Sequence, residues 1–133
     1  MTAYLLDTSA LLLASLDDSR FNAGVREKIS TEDVVVSQVC AIEIAIKQSI
    51  GRLDLPNPFG GDFSEVFHAM IDAMAATVLD IDMDDIDRLS RLPLHHRDPF
   101  DRLIIAQGLR TGMTVITSDR AFSAYSGLSV LEI

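Results

Sequence analysis

The stretch Ala3-Tyr-Leu-Leu-Asp7-Thr-Ser-Ala-Leu-Leu-Leu-Ala-Ser-Leu16 decides the fold. Tyr4–Leu6 is a short apolar run of the kind that fills a buried strand, and Ser9–Leu16 continues as a helix. Between them stand Asp7, Thr8 and Ser9, residues that favour helix starts. A strand that turns straight into a helix opens a β–α unit, and such units build a mainly parallel sheet. The stretch is apolar enough to mimic a signal peptide. It lacks a basic start, however, Asp7 interrupts it, and a membrane span needs about 20 uninterrupted residues. A chain with no membrane association is expected.

Moving outward, the same alternation recurs. Val34–Val36 is short and β-branched, and Val39–Ile50 places apolar residues at 39, 42, 46 and 50, which is helical spacing, before Gly51. The segment Leu-Pro-Asn-Pro-Phe-Gly-Gly-Asp at 55–62 is the clearest loop. A helix follows at Ser64–Ala75, a strand at Val78–Ile81, and a short helix at Asp84–Leu92 ended by Pro93. The spacing next predicts a helix over Pro99–Arg110 with Gly112 beyond it. Thr114–Thr117 and Leu128–Leu131 are the last strands. The expected fold class is α/β with a mainly parallel sheet, in a single domain over 1–133 without repeats or linkers.

The chain has 133 residues and a formal net charge of −9. That balance argues against indiscriminate nucleic-acid binding, which rests on clustered Lys and Arg. It is compatible with a carboxylate site awaiting a cation, or with a basic partner segment. Cys40 is the only cysteine, so no intramolecular disulfide can form, which fits a reducing cytoplasm.

Four acidic residues each adjoin an apolar run at an element boundary: Asp7, Glu43, Asp101 and Asp119. A carboxylate beside core-forming segments is costly unless it is paired, hydrogen-bonded or bound to a cation. In parallel sheets, sites form where strands end and helices begin. Asp7 and Asp119 follow strands, and Glu43 and Asp101 lie in first helical turns, so all four are expected at one end of the sheet. Together they would cage a hard divalent metal and support phosphodiester hydrolysis. Each also has a plainer account. Asp7 and Asp119 could each cap the next helix or turn, and Glu43 could pair with Lys47 one turn on. Asp98, ahead of Pro99, is the natural helix cap, which leaves Asp101 for the metal. Lys47, Arg52 and Arg102 are candidate contacts to a phosphate backbone.

The run Asp80, Asp82, Asp84, Asp85, Asp87 fails as a calcium loop, because Asp85 stands where Gly is required and Arg91 where Glu is required. It is read as a solvated strand end and helix start. His95 and His96 are read as loop residues near the cleft, since no Cys or further His pattern supports a zinc site.

Four blocks carry a family resemblance: Leu-Leu-Asp-Thr-Ser-Ala-Leu-Leu, Glu-Ile-Ala-Ile-Lys-Gln-Ser-Ile-Gly-Arg-Leu, Leu-Pro-Leu-His-His-Arg-Asp-Pro-Phe-Asp-Arg-Leu-Ile-Ile-Ala-Gln and Thr-Ser-Asp-Arg-Ala-Phe. Together they resemble the PIN-domain ribonucleases, and more closely the VapC-type toxins of toxin–antitoxin pairs. The resemblance implies a three-layer α/β/α fold on a five-stranded, mainly parallel sheet, with a Mg²⁺ or Mn²⁺ site. It also implies an RNA substrate, homodimerisation and a cognate VapB-type antitoxin. It maps the catalytic and metal-binding acids onto Asp7, Glu43, Asp101 and Asp119, and small polar site positions onto Ser9 and Thr117. Close relatives of this subgroup often have His where Ser9 stands and Trp where Ile42 stands. The rival expectations are a DNase or structure-selective nuclease using the same site, or a catalytically silent interaction module. A receiver-like phosphoacceptor is disfavoured, because no Lys follows Lys47.

Overall fold

The computed structural model describes residues 3–133. Strand β1 (Ala3–Leu6) runs into α1 (Thr8–Leu16), as the opening stretch dictates. A short 3₁₀ turn and α2 (Ala23–Thr31) lead to β2 (Asp33–Ser37), and α3 (Gln38–Ser49) follows at once. After the Pro- and Gly-rich loop come α4 (Phe63–Ala73), β3 (Thr77–Leu79) and α5 (Met83–Arg91). Then α6 (Pro99–Thr111) and β4 (Thr114–Thr117) precede a 3₁₀ segment at Arg120–Ala124 and β5 (Val130–Glu132).

The five strands form one sheet in the order β3-β2-β1-β4-β5, and every pairing is parallel. Leu5, Leu6, Val34, Val35, Val36, Val115 and Ile116 are all buried. Consecutive buried residues along central strands require cover on both faces, which makes the molecule a three-layer α/β/α fold. From β1 the chain first adds β2 and β3 on one side, then crosses back to add β4 on the other. The carboxyl ends of β1 and β4 therefore flank the point where strand order reverses, the usual place for a site in an open α/β sheet.

Three local outcomes differ from the sequence reading. Helix α2 was not expected, because Val25 is its only buried residue and no apolar stripe announces it. Its one signal is Asn22, whose side chain accepts from the Val25 N–H at 2.9 Å. Helix α3 turns a different side inward from the one its apolar spacing suggested. Val39, Cys40, Glu43 and Ile44 are buried, while Ile42, Ile46 and Ile50 are 40, 45 and 61% exposed. Both faces carry apolar residues at helical intervals, so spacing alone could not choose between them.

The third difference is Asp85, read as solvated but fully buried. It caps α5 through a reciprocal box: Asp82 Oδ1 accepts from the Asp84 N–H, and Asp85 Oδ2 accepts from the Asp82 N–H at 2.9 Å. Its other partner is Arg110 on α6, a bidentate guanidinium–carboxylate pair that joins the two helices. Burial raises the proton affinity of Asp85, but Arg110 and the Asp82 N–H outweigh it and hold the carboxyl below its ordinary range.

Candidate metal centre

Asp7 is the residue at which β1 becomes α1, and it is 3% exposed. Its Oδ1 accepts from the Ala10 N–H at 2.8 Å and from the Ser9 hydroxyl at 3.0 Å. Its Oδ2 accepts from the Thr117 hydroxyl, which reaches across from the end of β4 at 2.5 Å. One carboxylate thus caps α1 and also receives Thr117 from across the sheet. Burial pushes the proton affinity of Asp7 above that of an ordinary aspartate, against the pull of Thr117, Ala10 and Ser9.

Glu43 lies on the buried side of α3, 8% exposed. Thr8, the residue after Asp7, donates its hydroxyl to Glu43 Oε1 at 2.7 Å. Lys47 reaches Oε2 at 2.7 Å from one turn on, with its own side chain 45% exposed. Each reading of Glu43 from sequence, the inward carboxylate and the pair with Lys47, describes part of what is seen.

Helix α6 supplies Asp101. As expected, Asp98 caps this helix, its Oδ1 accepting from the N–H groups of Phe100 and Asp101 at 2.8 and 3.1 Å. Asp101 is then left with no backbone donor of its own, and its proton affinity climbs to about 7. Burial is the largest cause, followed by the negative charges of Asp98 and Asp7, with His96 opposing and Glu43 adding to the rise. That electrostatic coupling ties Asp101 to both buried acids.

Asp119 begins the 3₁₀ segment after β4. Its Oδ1 accepts from the Ala121 N–H at 2.9 Å, and its own N–H donates to Thr117 Oγ1, also at 2.9 Å. Partial burial raises its proton affinity, but the Ala121 N–H and His96 more than offset this and hold it below the usual carboxylate range.

Sequence reasoning placed His96 only in the neighbourhood, yet it is the hinge of the site. Its Nε2 lies 2.6 Å from Asp119 Oδ2 and 3.2 Å from Asp101 Oδ2. Among the described residues, His96, Asp101 and Asp119 form the one tight group able to offer ligand atoms within 4.8 Å of one another. A chain of contacts thus runs from Glu43 through Thr8 beside Asp7, then through Thr117 to Asp119, His96 and Asp101.

The remaining candidates divide. Ser9 and Thr117 join the network through Asp7, and Ser9 also meets the Ser118 hydroxyl at 3.1 Å. Arg52 is exposed just beyond α3. Arg102 is committed elsewhere. Its Nη2 donates to the carbonyls of Leu92 at 3.1 Å and Leu89 at 3.5 Å, closing the C-terminus of α5.

The donor set suits a hard divalent cation. Asp101 and Asp119 share one tight group with His96, while Asp7 and Glu43 lie outside that group and connect through Thr8 and Thr117; Lys47 is the one cation paired to the four acids among the described residues. An Asp whose proton affinity rises to about 7 through burial and like-charge neighbours marks crowded negative charge that a proton or a bound cation would relieve. The apolar groove formed by α1, α4 and the 55–61 loop, about 580 Å³, is lined by Leu16, Phe59, Met70 and Met74 and contains none of these acids.

The sequence profile of the family described as PIN domain matches residues 4–128. No curated protein matches the chain. Among solved structures, the chain is similar to one from VapBC2 of Rickettsia felis bound to a DNA fragment from their promoter. The TM-score there is 0.73 at 12% identity, with 98% of each chain covered. It is also similar to a chain of DNA-bound VapBC from Salmonella typhimurium, with TM-score 0.69, 16% identity, and 99% of this chain and 98% of that one covered. A third match is VapBC-5 from Mycobacterium tuberculosis, a member of the VapBC family of toxin-antitoxin systems, with TM-score 0.58, 22% identity and both chains covered in full.

Proposed function

This chain belongs to the PIN domain family, and from that premise we propose that it is a metal-dependent endoribonuclease, the VapC-type toxin of a toxin–antitoxin pair. The observation that carries the reading is the continuous network linking Asp7, Glu43, Asp101 and Asp119 from four separate segments. Such a concentration of buried and half-buried acid has no structural purpose that simple capping explains.

In this reading Asp7, Glu43, Asp101 and Asp119 hold Mg²⁺ or Mn²⁺. An ion held there would supply a water of lowered pKa and would stabilise charge on the phosphate. The chain's own side chains do the positioning. Ser9 and the Ala10 N–H fix Oδ1 of Asp7, and Thr117 fixes Oδ2 while leaving it a further lone pair. Thr8 fixes Glu43 in the same way. Lys47, half exposed at the edge of the acids, neutralises a phosphate oxygen, and Arg52 lies one turn further along for the neighbouring phosphate. These contacts set register on the RNA backbone and do not read its sequence.

The whole chain, 1–133, acts as one nuclease domain in the cytoplasm. Its partners are a VapB-type antitoxin and a second copy of itself. The antitoxin is supported by the VapBC complexes that share this fold. Self-association is supported by the exposed stripe of Ile42, Ile46 and Ile50 on α3. No helix among the described residues is long and apolar enough to cross a membrane.

The test is to map cleavage in total cellular RNA incubated with purified protein and Mn²⁺, beside EDTA-treated and Asp7→Asn samples. Discrete cuts are expected, lost in both controls, with Asp7→Asn reducing cleavage by at least about 100-fold while folding is retained. Asp7→Asn that still cuts sinks the mechanism. Cleavage of DNA in preference to RNA under equal metal supports the alternative nuclease, and no cleavage of either leaves an interaction module.

A further inference from the structure

The loop between α5 and α6 is held in place from the far side of the site. The His96 N–H donates to the Tyr125 hydroxyl at 3.0 Å, and that hydroxyl donates to the Pro93 carbonyl at 2.8 Å. Phe122, fully buried, meets the His96 ring edge-on at 5.8 Å between centroids. Tyr125 and Phe122 belong to the segment that Asp119 begins, so one short stretch positions both Asp119 and the imidazole that touches it.

The ring itself has one arrangement open to it. The Asp98 N–H points at His96 Nδ1 from 3.1 Å, and a backbone N–H can only donate. Nδ1 must therefore accept, and the ring's proton sits on Nε2. Nε2 in turn faces Asp119 Oδ2 at 2.6 Å and Asp101 Oδ2 at 3.2 Å, which accept when the carboxyls are ionised. A nitrogen that carries its proton toward two carboxylates has no lone pair to give a cation. To ligate through Nε2, the ring would have to move its proton to Nδ1, where it would collide with the Asp98 N–H.

We propose that His96 is a positioning residue for the metal centre and not a ligand to it: its Nε2–H holds Asp119 beside Asp101, with Asp98 setting the tautomer. Asp98 then has two tasks, capping α6 with its side chain and orienting His96 with its backbone. Hydrogen bonds of this kind, made to the residues that hold an ion, typically change metal affinity by about 10–100-fold when removed. The proposal rests on the nuclease reading, since it concerns the same site.

Two measurements on the full-length protein test it. The first is the tautomer of ¹⁵N-labelled His96, read from long-range ¹H–¹⁵N correlations with and without Mg²⁺. The proton is expected on Nε2 in both states. A proton on Nδ1, or loss of the Nε2 proton when Mg²⁺ is added, overturns the proposal in favour of direct ligation. The second is Mg²⁺ affinity by calorimetry for wild type, His96→Ala and His96→Gln, each checked for a folded spectrum. Ala is expected to bind about 10–100-fold more weakly, and Gln, whose amide N–H reaches the Nε2 position, to regain most of that loss. Wild-type affinity in the Ala variant, or no recovery with Gln, overturns the clamp. Wild-type protein that takes up no Mg²⁺ overturns the nuclease reading itself, and the wild-type isotherm alone reveals it.

Discussion

Asp101 is a residue whose charge the fold tolerates poorly. Its proton affinity in the folded protein is raised from 3.8 to about 7, chiefly by burial and then by Asp98 and Asp7. Between those values the folded state keeps a proton that the unfolded chain has released, so stability must fall as pH rises through that window. Metal-free protein is therefore expected to melt at progressively lower temperature from pH 4 to pH 7. Asp101→Asn should flatten that dependence and stabilise the metal-free fold at pH 8, on the order of a few kcal/mol, as read by thermal melts. An unchanged slope in the variant would assign the effect elsewhere. Divalent-ion affinity should move the opposite way, strengthening as Asp101 gives up its proton. The positions of the four acids at strand ends or within helices were legible in the sequence because each interrupts an apolar run, where a carboxylate needs a reason. The clamp by His96 was not, because it depends on a backbone N–H, a phenol and a carboxylate drawn from three segments. Nor was the diversion of Arg102 to the α5 carbonyls, since nothing in Asp-Arg-Leu says which way a long side chain will turn.

At the level of elements, a buried ion pair joins α5 and α6 beside the Arg102 contacts to the α5 carbonyls. Asp85 is fully buried, and removing its partner with Arg110→Ala strands a charge, which should cost about 3–5 kcal/mol in chemical denaturation. Because the Asp85 proton affinity is lowered, its contribution is present above 3.8 and fades as pH falls through the folded value. A loss below about 1 kcal/mol would mean that the pair is no better than a surface one. Gly108 makes a second, opposing case on α6. Helix propensity favours Ala over Gly by about 1 kcal/mol. A Cβ at 108, however, would stand 2.7 Å from Leu128 Cδ1 and 2.9 Å from Val115 Cγ2. Overpacking of that kind costs about 1–3 kcal/mol, so Gly108→Ala is expected to destabilise, and a stabilised variant would show that β4 and the β5 approach can yield. Strands β1, β2 and β4 and helix α6 were plain from periodicity and from the Asp98–Pro99 start. Helix α2 and the orientation of α3 were not, since one has too little apolar surface and the other has too much on both sides.

For the whole molecule, a net charge of −9 and a cluster of acids at the strand ends make a fold that should gain from cations. Mg²⁺ at about 100 times its dissociation constant is expected to stabilise the native state by about 2.7 kcal/mol, visible as a raised melting temperature that EDTA reverses. A melting temperature indifferent to Mg²⁺ would leave the acids without a ligand. The parallel architecture was readable from the alternation of runs, whereas the strand order, which decides where the acids meet, was not, because periodicity carries no information about neighbours. That order has a temporal consequence. Asp7 receives its hydrogen bond from Thr117, a residue 110 positions later. A polypeptide made only as far as β3 holds Asp7 and Glu43 without Asp101 and Asp119. On the proposed nuclease reading, a nascent chain therefore stays inactive until the segments carrying Asp101, Thr117 and Asp119 have joined the fold.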